Sequence, residues 1–455
     1  MNNISIINRN YLKLMLAIAV PVAIQSLIQS SLSMIDQFMI GRLGAGAIAS
    51  VGLGARIPQI FIVTITGVTS GAAIFTAQFW GKNDKRNIGQ TLGASFAFGL
   101  PIIAVFSIIS ILLSANMLSL FTKDTEVIKY GAEYMKITAY GYIPLMIVSV
   151  FAAVLRSTGN VMLPMYTGLL SVILNTTLNY LLIFGNLGMP QLGVKGTAIA
   201  TTVSRYAECI ILISAVYFKH LPCAVNIKEM INMHIDFIKK FSIITLPIIC
   251  NEFLWSFGQT VYSAIYGNMG TNQIAAMTIT FPVQGLTIGL FTGVSSAAGI
   301  IIGNRLGSNK FNEAVDYSRS FISIGAIGSV IVGMVIILLS KLYVSIYNVS
   351  YDVQMYSERI LIIFGILFAV KVCNMICGSG ILTAGGKTKI TFMLDLIGTW
   401  CIGVPLGLFS AFVLKLSIEW VYLLISTEEI VKLLIGLRIV YSKKWVTNIA
   451  ETAVN

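Results

Sequence analysis

From one end of the chain to the other, apolar stretches of about 20 residues or more recur, each long enough to cross a hydrocarbon core roughly 30 Å thick. No other feature constrains the fold so strongly. Inside lipid every backbone N–H and C=O must find an internal partner, which leaves helices or a closed barrel. The stretches are continuously apolar and lack the ten-residue alternation of barrel strands, so helices are predicted. Composition agrees: 11% of the 455 residues are charged, against roughly 25% in soluble domains. That is too little charge to cover a water-facing surface.

Twelve spans are expected, near Lys13–Met39, Ala47–Trp80, Gly89–Leu118, Val127–Leu155, Met162–Phe184, Val194–Phe218, Phe241–Tyr266, Ile274–Ile302, Val315–Val344, Met355–Thr383, Thr391–Leu414 and Ile418–Val440. Alternate loops are the basic ones, carrying Arg9 and Lys13; Lys82, Lys85 and Arg86; Arg156; Lys219, Lys228, Lys239 and Lys240; Arg305 and Lys310; Lys387 and Lys389; Lys443 and Lys444. The opposite loops hold fewer, such as Arg42, Lys123, Lys195 and Lys341. By the positive-inside rule both termini are expected in the cytoplasm, in a multi-pass protein of the inner (plasma) membrane. The net charge of +12 then reflects loop bias, and no nucleic-acid partner is expected. The segment MNNISIINRNYLK does not read as a cleaved signal, because the apolar run after it continues to Met39. Cys209, Cys223, Cys250, Cys373, Cys377 and Cys401 lie mostly in apolar segments with no disulfide-framework spacing. Cys373 and Cys377, one helical turn apart, read as packing residues rather than metal ligands.

Sliding the chain against itself by 226 positions exposes an internal repeat. Pro21 falls on Pro247, Gly41 on Gly267, Gly44 on Gly270, Gly67-Val68 on Gly293-Val294, Gly81 on Gly307, Asn83 on Asn309 and Gly159 on Gly385. Apolar identities are cheap in so biased a composition; prolines, glycines and an asparagine at one offset are not. Each half holds an even number of spans, so both start on the same side, as parallel repeats whose substrate site is expected between them. The domains expected are an N-lobe at 1–220, a cytoplasmic linker at 221–240 and a C-lobe at 241–455.

An acid at bilayer depth costs several kcal/mol unless it is paired, protonated or wet, so each is a functional candidate. Asp36 lies some 23 residues into the first span, in its outer half. Asn175 and Asn179 share one face of the fifth span at the same depth, and Thr197 and Thr201 share a face of the sixth. A carboxylate, amide oxygens and hydroxyls at one depth suit a small hard cation or a proton, with Na⁺ conceivable at Asp36, Asn175 and Asn179. The competing reading of the asparagines and threonines is interhelical bonding. In the second half Glu252, Asp395 and Lys371 reach similar depths and are expected to cluster, either as a titrating group or as a Lys371–Asp395 salt bridge. The acids are not symmetric copies, since Asp36 falls on Tyr262 and Glu252 on Ser26. The pairs Arg205/Glu208 and Glu428/Lys432, the latter with Glu429 beside it, read as structural intrahelical pairs. Trp255, Tyr262, Tyr266 and Met277 are candidates for contact with an apolar cation, with packing the commoner role of such residues.

The segments PVAIQSLIQSSLSMIDQFMIGRLGAGAIASVGLG, PIICNEFLWSFGQTVYSAIYGNMGTNQIAAM, LRSTGNVMLP, NTTLNYLLIFGNLGMPQLGVKGTAIAT and the closing SKKW together resemble the multidrug and toxic compound extrusion (MATE) family over nearly the whole chain. The resemblance implies an all-α polytopic membrane protein, with twelve helices in two pseudo-twofold-related six-helix bundles forming a V-shaped cleft. It also implies export of cationic, amphipathic compounds in exchange for Na⁺ or H⁺ by alternating access. By position Asp36 matches the family's first-helix cation-binding acid, Asn175 and Asn179 its fifth-helix polar pair, and Glu252 its seventh-helix acid. Asp395, within GGKTKITFMLD, matches an acid of one bacterial branch. The chain departs from the pattern at Asn179, where some members carry a second acid, and near Lys371, where some carry a tenth-helix acid. The expected protein is therefore a monomeric antiporter in contact with membrane lipids, with no cofactor besides its coupling ion. The rivals are a flippase for lipid-linked precursors on the same architecture and an intramembrane enzyme. The flippase would want basic residues where this chain has mainly acids, and no nucleophile–base or metal-spaced constellation supports the enzyme.

Overall fold

The computed structural model describes residues 9–231, 233–347 and 349–452; the reading of the first eight residues lies outside them. Among the described residues the chain is helical, without strands. The first repeat builds α1 (Arg9–Gly41), α2 (Ala45–Gly54), α3 (Arg56–Gly81), α4 (Lys85–Leu112), α5 (Ser114–Ser119), α6 (Thr125–Ala139), α7 (Tyr142–Ser157), α8 (Met162–Phe184) and α9 (Val194–Phe218). A short α10 (Ile227–Ile231) follows. The second repeat builds α11 (Ile235–Met269), α12 (Thr271–Gly307), α13 (Phe311–Ser345), α14 (Tyr351–Met375), α15 (Thr388–Leu396), α16 (Val404–Leu408), α17 (Ile418–Tyr441) and α18 (Ile449–Thr452). Three π-helical segments, Ile376–Leu382, Ile397–Gly403 and Phe409–Val413, prolong α14, α15 and α16.

Ten helices are long and apolar enough to cross a membrane, and the bent pair α6–α7 makes an eleventh. The remaining expected span, α17, is 24 residues long but carries Glu419, Glu428, Glu429, Lys432 and Arg438. Four of these are paired: Glu419 with Arg359 at 2.7 Å, Glu429 with Lys371 at 3.5 Å, and Lys432 with both Asp395 and Glu428. Pairing of this kind lets a charged helix stand among apolar ones.

One expected span is sharply bent and another is interrupted at a single residue, and proline explains both. A proline cannot donate to the carbonyl four residues back and its ring presses against it. Pro58 faces Gly54 in this way, and the regular pattern lapses at Ala55 alone, which keeps helical dihedrals and bonds to Val51 O and Gln59 N, so that Gly46–Gly81 remains one span. Pro144 faces Tyr140, and α6 meets α7 at a 49° bend. Helix α9 satisfies the carbonyl freed at the bend, Tyr206 Oη donating to Tyr140 O at 3.0 Å, and Thr202 Oγ1 adds a second bond to Ile137 O at 3.1 Å.

The repeat is visible in backbone detail. Gly44 and Gly270 hold φ of 101° and 143°, and Asn83 and Asn309 hold φ of 60° and 59°, a left-handed conformation that asparagine tolerates better than most residues. One pairing shifts. The turn glycine corresponding to Gly159 (φ 87°) is Gly386 (φ 72°), not Gly385. The π-helical segment Ile376–Leu382 absorbs one extra residue before the turn. Register returns to 226 where α8 and α15 begin, at Met162 and Thr388.

The chain forms two compact units: the described part of Met1–Ala23 with Cys250–Asn455, and Ile24–Ile249. They divide inside α1 and α11 rather than at the 221–240 segment. Glycines account for this. Within the second unit α3 packs on the opening half of α11, where a Cβ on Gly67 would lie 2.7 Å from Ile249 Cα and one on Gly71 would meet Thr245. The first unit repeats the crossing at the same offset, Gly293 of α12 receiving Ala19 and Ala23 of α1. Such small-residue crossings let backbones approach closely. A ring cluster of Phe75, Phe79, Phe98, Phe237 and Phe241 anchors α11 further in the second unit, with centroids 5.4–6.4 Å apart. The 221–231 stretch packs on α4, where Gly93 leaves room for the Met230 carbonyl and Cys223 is fully buried.

Candidate functional site

In the unit Ile24–Ile249, α8 brings a polar row to one face. Thr167, Ser171, Asn175 and Asn179 recur every four residues and all are buried. Asn179 Nδ2 donates to Asp36 Oδ1 at 2.7 Å and to Asn175 Oδ1 at 3.1 Å. Asn175 Nδ2 in turn donates to Thr201 Oγ1 at 3.3 Å and Ser204 Oγ at 3.4 Å. Four sequence candidates, Asp36, Asn175, Asn179 and Thr201, are thus one hydrogen-bonded chain. Thr197 lies one turn from Thr201 on α9 and is buried.

The chain has a direction. Each asparagine spends its N–H groups on its neighbours, so only some of the oxygens are committed. Asn175 Oδ1 is used; Asn179 Oδ1 and Thr197 Oγ1 are buried without a hydrogen-bond partner. An unpaired buried acceptor is costly to leave so. The Asn179 oxygen left over beside the Asp36 carboxylate is a donor that fits a hard cation, or a proton shared with Asp36. Ser204 was missed by sequence reasoning, although its place three residues after Thr201 on a helix was signal enough.

In the other unit the expected Lys371–Asp395 contact is absent, and the partners are different. Lys371 pairs with Glu429 at 3.5 Å, and Asn374 Nδ2 donates to Glu429 Oε2 at 2.7 Å. Asp395 takes Lys432 at 3.3 Å and Asn251 Nδ2 at 2.9 Å. Glu252, next to Asn251, lies close enough to Asp395 for their charges to interact. Lys432 reaches Glu428 at 3.7 Å and Thr399 Oγ1 at 3.5 Å, and Tyr262 Oη donates to Glu428 Oε2 at 3.0 Å. The Glu428/Lys432 pair expected within one helix exists, but the shorter contact of Lys432 crosses to α15. The reason is local: α15 passes into the π-helical Ile397–Gly403, where Gly398 makes room for the Lys432 stem and Gly403 for Tyr262 and Glu428. Asn251, Asn374 and Thr399 carried no sequence signal of their own.

The aromatic candidates divide. Tyr262, Tyr266 and Met277 are buried as packing within their unit, and only Trp255, 48% exposed, presents a free face. An apolar groove of about 550 Å³, lined by Phe96, Ile143, Phe151, Ile210 and Tyr217 among others, lies on α4, α7 and α9 and takes in none of the polar chain. Among the described residues no three His, Cys, Asp or Glu side chains converge as a metal site would need.

Known proteins resemble this chain over most of its length. The MatE family model matches residues 21–181 and 247–409, well over half of the chain and one stretch per repeat. A probable multidrug resistance protein NorM of Bacillus anthracis is 24% identical over 404 residues, covering 88% of this chain and 87% of that protein. A probable multidrug resistance protein YoeA of Bacillus subtilis is 23% identical and covers 95% and 94%. Among solved structures, a crystal structure of MATE in complex with MaL6 superposes with a TM-score of 0.86 at 18% identity, covering 95% of this chain and 97% of that one. A MOP superfamily transporter from Pyrococcus furiosus gives 0.85 at 18% identity, covering 95% and 96%. With twelve helices in two bundles and a family model matched in both repeats, this chain belongs to the MatE family of multi-pass membrane transporters.

Proposed function

We propose that this protein is a secondary active antiporter that exports small cationic, amphipathic molecules in exchange for Na⁺ or H⁺. The observation that carries the reading is the chain Asp36–Asn179–Asn175–Thr201, with Asn179 Oδ1 buried and uncommitted within it and Thr197 Oγ1 buried and uncommitted one turn from Thr201 on α9. Asp36 supplies the charge, Asn179 orients it, and the spare Asn179 oxygen takes the place of an ion's water. Asn175 and Thr201 hold Asn179 in that orientation. Ion and substrate favour different states of the transporter, since only differential affinity shifts such an equilibrium.

The substrate's charge is argued from the other unit. Glu252, Asp395, Glu428 and Glu429 outnumber Lys371 and Lys432 there, so the group is short of positive charge. Relatives named as probable multidrug resistance proteins support drugs or toxins as the cargo. The loop bias supports cytoplasmic termini in the inner membrane.

In proteoliposomes, Asp36→Asn should abolish efflux of a permanently charged fluorescent cation under either a Na⁺ or an H⁺ gradient, with the folded protein retained; normal transport would overturn the assignment. Glu252→Gln should weaken binding of that cation far more than binding of a neutral analogue of like shape, and equal losses would remove Glu252 from charge recognition. A cysteine at Lys228, in a variant lacking native cysteines, should resist an impermeant maleimide added to intact cells. Modification there would reverse the orientation.

A further inference from the structure

The polar chain does not end at Thr201. Arg205 follows Thr201 by one turn on α9, and Glu208 follows Ser204 by one turn, so the two hydroxyls that receive Asn175 each stack on one member of a charge pair. Arg205 Nη1 lies 3.5 Å from Glu208 Oε2, and Glu208 is 5% exposed near the middle of the span. Glu208 faces Gly168 of α8, whose missing side chain leaves a gap. A Cβ there would lie 3.7 Å from Glu208 Oε1 and 3.6 Å from Gln25 Nε2 of α1. Gln25 Oε1 in turn accepts from Arg156 at 3.5 Å. Toward the other end, the Arg205 charge is felt at Asp36 and at Tyr134 of α6.

Arg205 therefore stands between two carboxylates, paired with Glu208 and one helical turn from the Thr201 end of the hydrogen-bonded chain that leads to Asp36, while the other guanidinium of the network, Arg156, is engaged by Gln25 on the far side of Glu208. A long, flexible cation tethered between two acids is a built-in competitor for an ion that binds one of them. We propose that Arg205 is an internal counter-cation of the coupling site: Glu208 holds it while the ion occupies Asp36, and it moves toward Asp36 when the ion leaves. Such an exchange keeps Asp36 from standing as a bare buried charge between turnovers. The inference rests on the assignment of Asp36 as the ion-binding carboxylate.

The test is the sign of two substitutions, measured on purified protein in lipid nanodiscs. Affinities are read with ²²Na⁺ by scintillation proximity and with protons by a pH-indicator titration. The ion whose uptake Asp36→Asn abolishes is the one followed. Glu208→Gln frees Arg205 to compete, and should weaken that ion's affinity by about tenfold, within the range typical of site coupling. Arg205→Gln removes the competitor and should strengthen it by a similar factor. Adding Arg205→Gln to Glu208→Gln should bring affinity back to at least the wild-type level, and Arg205→Lys, which keeps the charge, should stay within about threefold of wild type. A merely structural pair would lose affinity in both single variants and not recover in the double, and that result overturns the proposal. Should Asp36→Asn still take up both ions, the Asp36 assignment itself falls. Loss in Asp36→Asn without the opposite signs removes only the role given to Arg205.

Discussion

Lys432 is 7% exposed, and its ammonium serves three oxygens, at 3.3 Å on Asp395, 3.7 Å on Glu428 and 3.5 Å on Thr399. Replacing it with methionine keeps the stem's volume against Gly398 and removes only the charge. The two acids are left unequally. Asp395 retains Asn251 at 2.9 Å and has a side chain 28% exposed, so water screens much of its loss. Glu428 has a side chain 6% exposed and retains only the Tyr262 hydroxyl at 3.0 Å. Removing one partner of a buried pair costs about 3–5 kcal/mol, and here most of it falls on Glu428. For a unit of this size each kcal/mol moves the melting point by about 2–4 °C, so Lys432→Met should lower the apparent melting temperature by roughly 6–20 °C. Intrinsic-fluorescence melting of the detergent-solubilised protein reads this directly. Glu428→Gln added to Lys432→Met neutralises the stranded acid and should recover at least half of the loss. Lys371→Met should cost less than Lys432→Met, because the Glu429 carboxylate keeps the Asn374 bond at 2.7 Å and its side chain is 18% exposed, against 6% for Glu428. A Lys432→Met shift below about 2 °C, or a double variant no better than the single, would refute the assignment of Lys432 as the counter-charge of Glu428.

The same melting measurement tests two packing claims. Gly67→Ala and Gly293→Ala each press a Cβ onto another helix's backbone and should each cost about 1–3 kcal/mol, whereas Gly285→Ala, with nothing within 4 Å of its Cβ, should cost nothing. Trp445→Ala should cost about 3–5 kcal/mol, because the indole is fully buried and its N–H bonds Val440 O at 2.9 Å. Cys223, in the segment between α9 and α10, should resist maleimide at pH 8 until the protein is unfolded. Burial pushes the Cys223 thiol up to about 12, so the reactive thiolate is scarce until the pH approaches that value; labelling of the folded protein as fast as of the unfolded chain would contradict its burial.

The helical architecture and the repeat were legible because they depend on length, polarity and the few residues with special backbone needs. The N-terminal polar chain was legible for a similar reason: Asn175 and Asn179 must share a helix face whatever surrounds them, and span depth sets Asp36 beside them. Partner choice in the charged group was not. Whether Lys371 meets Asp395 or Glu429 depends on the rotation of α14, α15 and α17 about their axes. The π-helical turns after Met375 and Leu396 alter that rotation by a residue each without a mark in hydropathy. The bend at Tyr140 could have been read from Pro144, yet Pro282 sits inside an unbroken α12. Proline permits a bend without requiring one, and at Tyr140 the freed carbonyl has the Tyr206 hydroxyl as its donor.

The glycine crossings bear on how such a chain could have arisen. Gly67 receives Ile249, and Gly293 receives Ala19 and Ala23, so the surface each repeat offers at this glycine is filled by the opening half-helix of the other. A lone copy of the repeat would carry both an empty groove and a half-helix with nowhere to lie. Two copies would satisfy each other by trading that segment. An ancestral single-repeat protein built this way would have been an exchanged dimer from the start, and gene fusion would have needed only to join two chains already threaded through one another. The modern protein should retain the habit: severed between Lys219 and Lys240, each half made alone should fail to fold, and the two made together should reassemble.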